Sequence, residues 1–60
     1  MNAKKIKEHT HGTHIYMKLE IDEKQYEVDC YIRDDGMLFK TTADGTPDRE
    51  KVIEAFNKLY

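Results

Sequence analysis

Two stretches of this 60-residue chain alternate apolar and polar residues, and their apolar sets match when one is folded back on the other. In residues 13–21, Thr13, Ile15, Met17, Leu19 and Ile21 share one parity. In residues 25–33, Tyr26, Val28, Cys30 and Ile32 share one. A period of two marks a strand with one buried face. Setting Ile21 against Tyr26 brings Leu19 to Val28, Met17 to Cys30 and Ile15 to Ile32. That pairing needs a four-residue loop at 22–25. A three-residue loop would slip the register by one and turn one apolar set to water. A two-residue turn at Glu23-Lys24 lacks the Asn-Gly or Asp-Gly chemistry that such turns favour.

A second hairpin follows at Asp35-Gly36, the strongest turn signal in the chain. Counting outward from it sets Ile32 against Phe39 and Cys30 against Thr41, with a third strand over residues 37–42. Residues 43–45 then form a loop, with Thr46 as a helix cap and Pro47 at the first helical position. Asp48 and Glu50 suit the positive end of the helix dipole. Val52, Ile53, Phe56, Leu59 and Tyr60 form a stripe at helical spacing. Such a stripe buries itself on the apolar sheet face. The expected fold is α+β: a three-stranded antiparallel meander of order 1-2-3 with one C-terminal helix on one face (βββα), spanning residues 13–60. Residues 1–12 show no period and are expected to form a flexible basic arm carrying Lys4, Lys5, Lys7, His9 and His11.

Apolar residues are 38% and charged residues 37%, which allows only a thin core. A single cysteine excludes an internal disulfide and fits a reducing, cytoplasmic setting. No apolar run has the length of a membrane span, and no apolar stretch follows the N-terminal lysines as in a secretory signal. The starting methionine and the lack of a linker suggest a whole small gene product. The formal net charge of −2 disfavours binding nucleic acid through charge alone. It is unevenly spread: residues 1–12 hold three lysines against one glutamate, while residues 13–46 hold four basic and eight acidic side chains.

The residue types that carry chemistry have structural readings beside them. His9, His11 and His14 are the metal candidates, since imidazole suits zinc, copper and nickel. Two of them fall on the expected arm, however, and a structural zinc site wants four ligands held by the fold. They read as solvated histidines ahead of a strand, and no metal is expected. Asp34 and Asp35 read as turn residues, and Cys30 as a small buried hydrophobe. No nucleophile–base pair or phosphate loop is present, so no enzyme activity and no cofactor are expected.

The outward face is more informative. The pairing sets His14 beside Arg33, Tyr16 beside Tyr31, Lys18 beside Asp29 and Glu20 beside Glu27, with Tyr31 facing Lys40 and Arg33 facing Leu38. His14, Tyr16, Tyr31, Arg33, Leu38 and Lys40 then form an aromatic-basic patch suited to a partner. The same pairs also serve sheet stability. The first strand is an edge without proline, so Met17, Lys18, Leu19 and Glu20 form a candidate homodimer edge, pairing antiparallel about Leu19. The expected function is a small protein-binding module, a regulator, adaptor or inhibitor of the kind phages and mobile elements encode. Its partner would be another protein or a second copy, with no membrane involved.

Three antiparallel strands followed by a helix, over residues 13–60, resemble the arm-binding domains of tyrosine recombinases. That resemblance implies a nucleic-acid-binding module whose sheet enters the major groove, with the Lys4-Lys5-Ile6-Lys7 arm, Arg33 and Lys40 near the backbone. Glu20, Glu27 and Asp29 depart from it, because they would repel phosphates.

Overall fold

A computed structural model describes residues 2–60. It is a small α+β structure: an antiparallel sheet and a C-terminal helix, with four strands where three were expected. The strands are β1 (Ala3–His11), β2 (His14–Ile21), β3 (Lys24–Arg33) and β4 (Gly36–Thr41), in that order across the sheet, followed by α1 (Arg49–Leu59).

The added strand comes from the segment expected to be a flexible arm; Met1 of that segment lies outside the described residues. His11 and His14 face each other across Gly12 and Thr13. Gly12 takes φ +62, as a glycine-first tight hairpin turn requires. Its alternation is interrupted at Ile6, where the register slips between Lys5 and Lys7 in a bulge. That slip, and the near absence of apolar residues, hides the strand from a search for periodicity.

The β2–β3 register differs from the expected one by two residues. Leu19 faces Tyr26, Met17 faces Val28 and Ile15 faces Cys30, through a two-residue turn at Asp22-Glu23. Both turn residues adopt positive φ, 49° and 72°, which that hairpin geometry demands and which non-glycine residues resist. A shift of two keeps every side chain on its expected face, so the apolar core is equally satisfied by either register. The charges separate them. Both registers give Lys18 an acidic partner, Asp29 or Glu27, but the expected one also opposes Glu20 to Glu27, whereas the observed one sets Glu20 against Gln25. Like charges directly opposed destabilise a sheet and opposite ones support it.

The β3–β4 hairpin is likewise displaced by two. Cys30 faces Phe39, Ile32 faces Met37 and Arg33 faces Gly36. Asp34 and Asp35 are themselves the turn, and Gly36 follows with φ +132. Ile32 therefore runs past the end of β2's cover and is half-exposed, at 45%.

One face of the sheet carries the core. Ile15, Met17, Leu19, Ile21, Tyr26, Val28 and Cys30 are buried against Val52, Ala55 and Phe56 of α1, with Ala43 beside them. Phe56 meets Phe39 edge-on, with ring centroids 5.5 Å apart. No polar or charged residue among those described is buried. Ile53 and Leu59 of the expected stripe are only partly buried, Tyr60 is exposed, and Ala55 takes a core place that the stripe omits. The helix begins at Arg49, two residues later than the expected Pro47, with Asp48 rather than Thr46 at its cap. Thr46 still organises the approach: its hydroxyl donates to the Ala43 carbonyl at 2.6 Å and accepts the Asp48 N–H at 3.2 Å.

Candidate functional site

The opposite face of the sheet has no helix over it, and its side chains fall into rows set by the strand register. His11, His14, Tyr31 and Leu38 form one row. His9, Tyr16, Asp29 and Lys40 form the next, and Lys7, Lys18 and Glu27 the third. Beyond them Lys4 approaches Glu20 at 3.6 Å.

All six residues of the expected patch lie on this face. Their neighbours differ from expectation because of the two-residue shifts. Tyr31 lies beside His14 and Leu38, and the rings of His14 and Tyr31 stack at 4.6 Å with 7° between planes. Tyr16 faces Asp29 rather than Tyr31, so the two tyrosines are diagonal neighbours. Lys40 also faces Asp29, and Arg33 sits at the turn opposite Gly36. Two carboxylates organise the centre: Asp29 Oδ1 lies 2.8 Å from His14 Nε2, and the Tyr16 hydroxyl donates to Glu27 Oε1 at 3.0 Å. Partial burial of Tyr16, then its hydrogen bond to Glu27 and the charges of Glu27 and Asp29, raises its pKa above the usual phenol value.

β1 brings Lys4, Lys7, His9 and His11 onto the same face, none of which the expected patch contained. A signal for them exists. Carried back through a Gly12-Thr13 turn, the parity of His14 falls on His11, His9 and Lys7. The three histidines thus share a hairpin end, although among the described residues no three His, Cys, Asp or Glu side chains converge on one point.

The candidate dimer edge is not an edge. Met17, Lys18, Leu19 and Glu20 of β2 pair with β1 on one side and β3 on the other. Pairing to a second copy there is closed by the chain's own first strand. The real edges are β1 and β4. β1 carries lysines and a bulge, both of which discourage pairing with another chain. On β4, the outward-pointing Thr41 N–H donates to Asp44 Oδ2 at 3.1 Å. The outward Phe39 carbonyl accepts from Arg49 Nη2 at 3.3 Å, and Arg49 Nε donates to Asp44 Oδ1 at 2.8 Å. The Thr41 N–H and Arg49 together hold the Asp44 carboxyl below the usual carboxylate range.

Cys30 is fully buried, and that burial raises its thiol pKa, away from the reactive thiolate. No helix among the described residues is long and apolar enough to cross a membrane. No protein-family model matches the chain, and no curated protein or solved structure matches it significantly.

Proposed function

We propose that this chain is a small non-enzymatic protein-binding module that engages its partner through the uncovered face of the sheet. The observation that carries this reading is the one-sided cover. α1 buries the inner face, while the outer face presents His14, Tyr16, Tyr31, Leu38, Arg33 and Lys40 in adjoining rows. Tyrosine and arginine are the residue types that most often anchor protein interfaces. The obstructed edges support use of the face over strand addition.

Replacing Tyr16 and Tyr31 together with serine tests this. The expected result is an unchanged circular-dichroism spectrum with loss of the partners that the unaltered chain captures from lysate. A helix-surface control, Glu54→Gln, should retain them. Equal capture by all three proteins would contradict the reading.

A nucleic-acid-binding role is the second reading, and one feature favours it. The outer face holds Lys4, Lys7, Lys18, Arg33 and Lys40 against Glu20, Glu27 and Asp29, a basic excess on a chain of net charge −2. Titration with single-stranded and duplex nucleic acid at moderate salt separates the readings. Saturable binding that weakens with salt supports this one.

A further inference from the structure

The closed end of the β1–β2 hairpin places three histidines on one face of the sheet, although their rings as placed do not converge. His9 and His11 are two apart on β1, so their side chains leave the same side of the strand. His11 is the cross-strand partner of His14. Side chains directly opposite in an antiparallel pair start about 4.5–5.5 Å apart at Cβ. The Gly12-Thr13 turn sets His11 and His14 opposite each other. Three imidazoles at such spacing form a donor set that borderline divalent cations prefer.

His14 adds a second feature. Its Nε2 lies 2.8 Å from Asp29 Oδ1, and its ring is stacked on Tyr31. A histidine that gives one ring nitrogen to a carboxylate has its tautomer and orientation set, and the other nitrogen is left as a basic metal donor. The contact that occupies Nε2 of His14 is therefore of the kind that supports a ligating histidine.

We propose that this hairpin end binds one zinc-class divalent cation through His9, His11 and Nδ1 of His14, with Asp29 as the outer partner of His14. His9 and His11 are exposed. Exposed rotamers interchange within nanoseconds, so bringing the three rings together takes side-chain rotation and no change of fold. Three protein ligands leave a fourth position for water or for a donor from a bound molecule. This site does not depend on the protein-binding reading.

The test is calorimetric titration of the full chain with Zn²⁺, with Co²⁺ absorption reporting the ligand set. One saturable Zn²⁺ per chain is expected. Asp29→Asn should weaken binding by about 10–100-fold, the range typical of lost outer partners. His9→Ala, His11→Ala and His14→Gln should each weaken it more. Glu54→Gln should leave it unchanged. All the variants are at surface positions, and circular dichroism checks their fold. Absence of saturable one-to-one binding, or binding that survives His14→Gln, overturns the site. Binding insensitive to Asp29→Asn overturns the role given to Asp29.

Discussion

The two faces of the sheet obey the same alternation but specify different things. On the inner face, sliding β3 by two residues along β2 exchanges one apolar neighbour for another: Met17 meets Val28 or Cys30, and Leu19 meets Tyr26 or Val28. Burial is non-directional, so it chooses which side chains go inward and says little about which pairs form. The outer face is made of charges, rings and hydroxyls, whose energies depend on the individual neighbour. There a slip of two brings Glu20 opposite Glu27, leaves Lys18 with Asp29, and separates His14 from Asp29. Hydrophobic pattern fixes the face, and polar pairing fixes the register.

The largest expected effect breaks the inner face alone. Phe56→Ala removes the ring that meets Phe39 and fills the space between helix and sheet. It should cost about 3–5 kcal/mol in urea unfolding. That is comparable with the whole stability of a domain this short, at roughly 0.1 kcal/mol per residue.

The β2–β3 turn sharpens the comparison. Asp22 and Glu23 both carry positive φ, so changing them to Asn and Gly should stabilise by about 1 kcal/mol. No gain in the urea midpoint would argue for the four-residue loop and the other register. A smaller effect comes from the outer face: Glu27→Lys puts a like charge opposite Lys18, which already faces Lys7 on its other side, and should destabilise by about 0.2–1 kcal/mol, less at high salt. Equal stability at low and high salt would remove charge as the arbiter of register.

The smallest effect concerns acid. Asp44's carboxyl is held below its unfolded value by the Thr41 N–H and Arg49. Its contribution is present above the unfolded carboxylate pKa and is lost as pH falls through the lower folded value. Asp44→Asn should therefore flatten the decline of stability below about pH 4. An unchanged slope would show that the clamp on β4 does not couple to folding.

Much of the architecture was legible in the residues. Parity places Ile15 to Ile21 and Tyr26 to Cys30 inward, and the Val52–Phe56 spacing locates the helix, although its start lies at Arg49 rather than at Pro47. Cys30 was rightly read as buried, and Asp34 and Asp35 as turn residues. β1 is hidden because, apart from Ala3, its inward positions are filled by Lys5, Glu8 and Thr10, and because the bulge at Ile6 breaks the count. The helix reaches only part of that strand, so apolar residues are not required there. Without β1, β2 reads as an edge; with it, the expected dimer edge at Met17, Lys18, Leu19 and Glu20 is occluded. Without β1 the union of His9 and His11 with His14 is hidden too. The expected register carries a mark against itself in the residues: it opposes Glu20 to Glu27, and like charges directly opposed destabilise a sheet.

The most direct measurement is the network of cross-strand nuclear Overhauser effects in the full chain. Backbone contacts linking Lys18 with Glu27 and Met17 with Val28, together with contacts linking His11 with His14 across the first hairpin, are the expected result. Contacts linking Glu20 with Glu27 and Met17 with Cys30, or no cross-strand contacts from β1, would contradict both the register and the outer face built on it.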